Sequence, residues 1–123
     1  MGHRVLIVDD SKAMRLIVRR TLRQAGFGGL ELDEAADGVE ALAKIESFRP
    51  MLVLSDWNMP VMNGYDLLGE VVKRKLGVRF GFVTTEGTPE MRARAIAAGA
   101  SFLIEKPFTP ERFQTVLGPL LGE

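Results

Sequence analysis

The sequence predicts a doubly wound α/β domain in which five βα units build a five-stranded parallel sheet. Three observations lead to this fold class. Short apolar runs alternate with segments of helical periodicity almost to the end of the chain. Four of the five apolar runs are unbroken, which is typical of parallel strands that helices cover on both faces. The chain has 123 residues, a length at which one hydrophobic core is normal, so we expect one domain over residues 1–123.

The apolar runs predict five strands, at residues 5–8, 30–35, 51–54, 80–83 and 102–104. The second run is interrupted by Glu31, Asp33 and Glu34. This interruption predicts greater exposure and favours an edge position in the sheet. Gly81 lies within the fourth run, where a glycine indicates a bulge or the close approach of another segment.

Caps and apolar stripes predict the helices. The first helix should end at Gly26 with Phe27 after it, and the second should begin at Asp37, with Glu40 completing a capping box. Apolar residues at i, i+3 and i+4 spacing predict the inward faces of the first three helices: Met14, Ile17, Val18, Leu22 and Ala25; Ala41, Leu42 and Ile45; and Leu67, Leu68, Val71 and Val72.

The fourth and fifth helices should both begin with the sequence Thr-Pro-Glu, at Thr88 and Thr109. Threonine is a good N-cap, proline fits the first helical position, and an acid suits the positive first turn. Gly118 and Pro119 should kink or fray the end of the fifth helix.

Composition narrows the function classes. Sixteen Lys and Arg residues balance 16 Asp and Glu residues, so there is no electrostatic argument for a nucleic-acid partner. The absence of cysteine excludes disulfides and thiolate metal sites and is compatible with an intracellular location. The longest apolar runs have four or five residues, too few for membrane insertion. We expect a cytoplasmic globular protein.

Polar residues stand at the ends of four predicted strands: Asp9 and Asp10, then Asp56, then Thr84 and Thr85, and finally Glu105 and Lys106. The carboxyl ends of parallel strands lie at one edge of an open sheet, where ligands bind, so these residues should converge. Three adjacent carboxylates would repel one another unless a cation neutralised them. Mg²⁺ prefers oxygen ligands and often bridges carboxylates to a phosphoryl group.

A phosphoryl-transfer site would give each of these groups a role. A carboxylate beside Mg²⁺ can attack phosphorus and form an acyl phosphate. Lys106 would bring a compact positive charge to a phosphoryl oxygen, and Thr84 would bring a hydrogen bond.

Each residue also has an ordinary structural interpretation. Asp9, Asp10 or Ser11 could cap the first helix. Asp56 could belong to a turn, and Lys106 could be a solvated charge. Their shared position at the same ends of consecutive strands favours a functional site.

Four motifs resemble those of the receiver domain of bacterial response regulators, in the family's order along nearly the whole chain. They are VLIVDDS at 5–11, LSDWNMP at 54–60 with Gly64, VTTE at 83–86, and AGA at 98–100 followed by KPF at 106–108. The sequence WNMP at 57–60 is especially similar to the corresponding sequence of chemotaxis response regulators. The resemblance implies a flavodoxin-like fold with strand order 2-1-3-4-5.

The resemblance also implies roles for the acidic residues. Asp56 would be the phosphoacceptor. Asp10 and Asp56 would bind Mg²⁺ directly, and Asp9 would act mainly through water. The backbone carbonyl of Asn58 would be a further ligand.

By the same resemblance, Thr84 would contact the phosphoryl group and move on phosphorylation, and Lys106 would pair with that group. Pro107 would follow a cis peptide bond. Asn58 and Glu86 would flank the site and tune hydrolysis.

Two residues depart from the family pattern. Leu103 stands where many members have Tyr or Phe, and this departure concerns the switching mechanism. Glu105 stands before Lys106, where an apolar residue is common.

We therefore expect a receiver without an output domain, because the sequence ends at Glu123 directly after the fifth helix. A histidine kinase or histidine phosphotransfer protein would phosphorylate it, and it would then bind a downstream target protein. It would be no enzyme beyond catalysing its own phosphorylation and dephosphorylation.

Two alternatives are a Mg²⁺-dependent phosphohydrolase of small phosphates and a degenerate receiver that works as a scaffold. The first would need an acid to protonate the leaving group, which Asn58 cannot do. The intact site argues against the second.

Overall fold

Strands and helices alternate without exception in the computed structural model, which describes residues 3–121. All five strands are parallel, in the order β2-β1-β3-β4-β5. This confirms the predicted fold class and strand order, and the edge position of the second strand. The ends of the predicted domain, residues 1–2 and 122–123, lie outside the described residues. The elements are β1 Arg4–Val8, α1 Lys12–Gln24, β2 Glu31–Ala35, α2 Gly38–Phe48, β3 Leu52–Ser55, α3 Gly64–Lys73, β4 Arg79–Thr84, α4 Pro89–Ala98, β5 Phe102–Glu105 and α5 Pro110–Leu117.

The sheet separates two hydrophobic cores. Side chains alternate along each strand, so Leu6 and Val8 face the core beneath α2, α3 and α4, whereas Val5 and Ile7 face α1 and α5. These four side chains are at most 1% exposed. The unbroken apolar run of β1 therefore reflects burial on both faces. None of the helices in residues 3–121 is long and apolar enough to cross a membrane.

The predicted N-caps are present, but the capping box of α2 is formed only in part, because Glu40 Oε1 accepts from the Ala36 amide at 2.7 Å and not from that of Asp37. Ser11 caps α1, since its Oγ accepts a hydrogen bond from the Met14 amide at 3.1 Å. At the other end of α1, Gly26 has a left-handed φ of 100° and the Phe27 amide donates to the Leu22 carbonyl at 2.9 Å. This is the glycine-terminated Schellman arrangement. Because Ser11 is the cap, neither neighbouring aspartate is needed for that purpose.

The prediction of an inward position is wrong for two residues. Ile17 of α1 is 41% exposed and Val72 of α3 is 54% exposed. At 100° per residue, each lies roughly 80–90° from the centre of the buried stripe of its helix, outside the face that contacts the core. Thr21 of α1 is buried although it is polar, and its hydroxyl donates to the Ile17 carbonyl at 2.8 Å.

Gly81 marks a close approach rather than a bulge. It pairs in register with Phe102 of β5, and a Cβ added at Gly81 would lie 2.0 Å from the Phe102 ring. The glycine therefore leaves room for the aromatic ring across the two strands.

Candidate functional site

Three carboxylates meet at the carboxyl edge of the sheet. Asp9, Asp10 and Asp56 each offer an oxygen within 4.8 Å of those of the other two. The register between β1 and β3 places them there, because Val8 pairs with Ser55 and the Asp56 amide donates to the Val8 carbonyl at 2.9 Å. The aspartates that follow the two strands are thus held side by side by the sheet itself.

The three carboxylates differ in their surroundings. Asp9 is buried, Asp56 is partly buried and Asp10 is exposed. One oxygen of Asp9 accepts from the Ser11 amide at 2.9 Å, and one oxygen of Asp56 accepts from the Trp57 amide at 2.7 Å. Within residues 3–121, the carboxylate of Asp10 accepts no hydrogen bond.

Lys106 lies between two of the acids. Its Nζ is 3.0 Å from Asp9 Oδ2 and 3.3 Å from Asp56 Oδ2, and its side chain is only 11% exposed. Its amide donates to the carbonyl of Thr84 at 2.9 Å, which joins the ends of β4 and β5 at the site. Lys106 is therefore not a solvated charge. Three carboxylates and one ammonium leave a formal charge of −2, which suits a divalent cation with oxygen ligands.

Thr84 and two flanking residues form the neighbouring wall. Thr84 is the last residue of β4 and is fully buried, and its Oγ1 accepts from the Glu86 amide at 3.3 Å. The Asn58 side-chain amide donates to Glu86 Oε2 at 3.1 Å. This bond connects the loops that follow β3 and β4. No hydrogen bond joins the Thr84 hydroxyl to the three carboxylates among the described residues.

Gly64 allows α3 to begin against the site. A Cβ added at Gly64 would lie 2.1 Å from the carbonyl oxygen of Asp56 and 3.0 Å from Ser55 Oγ. The Gly64 amide also donates to the Trp57 carbonyl at 2.9 Å. Any larger residue would push the first turn of α3 or the Asp56 peptide out of place.

Arg15, which no sequence motif singles out, supports the loop after β1 that carries Asp9 and Asp10. The Nη1 of Arg15 donates to the backbone carbonyl of Asp9 at 2.6 Å, and its Nε donates to Glu34 Oε1 at 2.7 Å. Arg19 also pairs with Glu34. Partial burial alone would raise the pKa of the Glu34 carboxyl. Hydrogen bonds from Arg15 and Arg19 and their positive charges outweigh burial and hold that pKa below its ordinary value of 4.5.

The remaining predicted residues lie at β5. Leu103 is buried at 1% exposure, and its carbonyl accepts from the Arg92 guanidinium of α4 at 2.8 Å. Glu105 is exposed and lies against Gly87, where an added Cβ would fall 2.3 Å from the Glu105 carboxyl carbon. The peptide bond before Pro107 is cis.

Comparisons with known proteins agree on one family. Residues 5–117 match the response regulator receiver domain. The chain is 39% identical to chemotaxis protein CheY1 of Helicobacter pylori over 122 residues, which are 97% of each protein. It is 38% identical to chemotaxis protein CheY of Thermotoga maritima over 112 residues, 91% of this chain and 92% of that protein. The structure of the chemotaxis response regulator CheY4 of Vibrio cholerae has a TM-score of 0.85 and 38% identity, covering 98% of this chain and 100% of the other.

Proposed function

The chain belongs to the response regulator receiver domain family, and from this membership and the site geometry we propose that it is a phosphorylation-controlled signalling protein. Asp56 would receive a phosphoryl group from the histidine of a histidine kinase or histidine phosphotransfer protein. The phosphorylated form would bind a downstream target protein. The matches to CheY1 of Helicobacter pylori and CheY of Thermotoga maritima cover 97% and 92% of those proteins, so these relatives consist of little more than the matched region.

The observation that carries this proposal is the placement of Lys106 between Asp9 and Asp56. A buried ammonium with a carboxylate on each side leaves a centre that is still negative and can take up a cation. After phosphorylation, the same ammonium would attract the new phosphoryl oxygens of Asp56. One lysine can therefore serve the site both before and after the transfer.

Asp10, Asp56 and the Asn58 backbone carbonyl would hold Mg²⁺, with Asp9 acting through water. This donor set consists only of oxygen atoms, as Mg²⁺ prefers. When bound, Mg²⁺ would supply positive charge that offsets the charge of the incoming phosphoryl group and the carboxylates.

The protein groups would then divide the transfer among them. A carboxylate oxygen of Asp56 attacks phosphorus, the bond between phosphorus and the donor histidine breaks, and the imidazole leaves. Lys106 and the hydroxyl of Thr84 stabilise negative charge on the phosphoryl oxygens. Asn58 and Glu86, which are joined by a hydrogen bond at the mouth of the site, set the access of the water that hydrolyses the product.

Proteins of this CheY type are signalling proteins and not classical enzymes. A small-molecule phosphohydrolase would need an acid near Asp56 to protonate its leaving group. The amide of Asn58 cannot protonate it, and this residue donates to Glu86 instead. The intact acid cluster with its lysine also disfavours a scaffold that never takes phosphate.

The test is intact-mass measurement after incubation with acetyl phosphate and Mg²⁺. Wild-type protein should gain one phosphoryl group, and Asp56→Asn should gain none because its amide is no nucleophile. Asp66→Asn, at an exposed position in the first turn of α3, is the matched control and should be labelled like wild type.

The same experiment separates the alternatives. Continuous turnover of small phosphomonoesters would indicate a phosphohydrolase. No labelling of wild-type protein would indicate a scaffold. Equal labelling of wild type and Asp56→Asn would place the acceptor elsewhere.

A further inference from the structure

The Asp10 carboxylate has no hydrogen-bond partner among the described residues, although it would bind the metal under the proposed function. No described side chain or amide fixes its direction, so the backbone that carries it sets which positions it can reach. The peptide between Asp9 and Asp10 is part of that backbone, and the Asp9 carbonyl oxygen marks the orientation of this peptide.

That carbonyl lies at the end of a strand, where the regular ladder is ending. The Asp9 amide still donates to Ala35 of β2 at 3.0 Å. The Asp9 carbonyl instead accepts a hydrogen bond from Arg15 Nη1 at 2.6 Å. Asp9 is buried and the Arg15 side chain is 15% exposed, so loss of this bond would leave the carbonyl short of a partner.

The guanidinium of Arg15 is itself held in place. Its Nε donates to Glu34 Oε1 at 2.7 Å, whereas Arg19 pairs with the other oxygen of that carboxylate, Oε2. The planar fork of an arginine can donate from two nitrogens in two fixed directions, which the single nitrogen of a lysine cannot do. Arg15 thus links the β2 edge to the loop that carries Asp10.

We propose that Arg15 is a positioning residue that orients the Asp10 carboxylate for Mg²⁺ by holding the Asp9 carbonyl. The inference rests on the proposed function. Orientation and charge predict opposite effects of removing Arg15 on the Mg²⁺ affinity. Loss of orientation weakens Mg²⁺ binding, whereas loss of a positive charge near the site would strengthen it.

Mg²⁺ titration of the purified protein, followed by Trp57 fluorescence and by calorimetry, distinguishes the two effects. Arg15→Gln should raise the Mg²⁺ Kd on the order of tenfold, as the loss of groups that orient metal ligands commonly does. Arg19→Gln is the matched control, because it removes an equal charge from the same network but does not contact Asp9. Its Kd should stay close to that of wild type.

Two further measurements test the role of Arg15. Arg15→Lys retains the charge without the fork, so its Kd should also rise. In the metal-free protein, the amide resonance of Asp10 should broaden or split in Arg15→Gln and stay single in Arg19→Gln.

An unchanged or lower Kd in Arg15→Gln, or a wild-type Kd in Arg15→Lys, would overturn the role of Arg15. If wild-type protein is labelled on Asp56 in those conditions, the proposed function survives. If wild-type protein neither binds Mg²⁺ nor takes a phosphoryl group, both proposals fail.

Discussion

Substitution of Gly64 by alanine should damage both the fold and the site. The new Cβ would lie 2.1 Å from the Asp56 carbonyl oxygen, and real Cβ atoms essentially never approach within 3.0 Å. The start of α3 or the Asp56 peptide must therefore move by at least 0.9 Å, the difference between these distances. Overpacking of this kind costs about 1–3 kcal/mol of unfolding free energy.

The same substitution at Gly69 is the control within the same helix. Apart from its chain neighbours and the backbone of its own helix, no atom lies within 4 Å of a Cβ added there, so the alanine meets no obstacle. Gly69→Ala should raise the unfolding free energy by about 0.5–1 kcal/mol, because alanine loses less conformational freedom than glycine in a helix. The two variants should thus differ in the sign of their effect.

Urea unfolding followed by circular dichroism and by the fluorescence of Trp57, the only tryptophan, measures both effects. Labelling by acetyl phosphate should also slow in Gly64→Ala, on the order of a hundredfold if the full displacement reaches Asp56. A Gly64→Ala protein as stable as wild type would refute the close contact. So would a stability gain matching that of Gly69→Ala.

Three further predictions concern the metal, the switch and the pH dependence. Mg²⁺ should change Trp57 fluorescence saturably without phosphate, and Asp10→Asn should weaken the response at least severalfold, because it removes a charged oxygen ligand. Phosphorylation should shift amide resonances more strongly at residues 84–91 than around Leu103, since Leu103 is already buried and lacks the aromatic ring that many family members could reorient at this position. The lowered pKa of Glu34 means that its network adds stability above about pH 4.5 and loses it as pH falls through the folded-state value. Glu34→Gln should therefore be less stable than wild type at neutral pH and lose less stability on acidification.

Each of these has a contradicting result. If millimolar Mg²⁺ produces no saturable fluorescence change and no calorimetric heat, the metal assignment is wrong. Larger shifts at Leu103 and in α5 than at residues 84–91 would contradict the second prediction, and Leu103→Tyr would be the next variant. Parallel acid-unfolding curves for wild type and Glu34→Gln would contradict the pH argument.

The fold could be predicted because the signals for its elements are local. Runs such as Val5 to Val8 are buried on both faces, so every residue is apolar and the strand stands out. Caps such as Ser11 and the Thr88 that opens α4 act within one helical turn. Strand order depends on contacts between distant segments, and here it followed from the resemblance to the family, which the comparisons confirm.

Helix faces were predicted less well than helices. Ile17 and Val72 are apolar and adjoin the buried stripes, yet each is rotated away from the core. A residue at the margin of a stripe is buried only if a neighbouring element covers it, and the sequence of one helix does not contain that information.

The acid cluster was predictable for a geometric reason. Parallel strands bring their carboxyl ends to one edge, so Asp9 and Asp56 had to meet if both followed adjacent strands. The support from Arg15 was not predictable, because its partner Glu34 is 19 residues away and the contact depends on how α1 is rotated against β2.

The most direct test of the account locates the phosphoryl group chemically. Borohydride reduces an aspartyl phosphate to homoserine, and peptide mass spectrometry then identifies the position after labelling by acetyl phosphate and Mg²⁺. The account predicts homoserine at position 56 alone and none in unlabelled protein. Homoserine at position 9 or 10, or at no position in a protein that has gained a phosphoryl group, would contradict it.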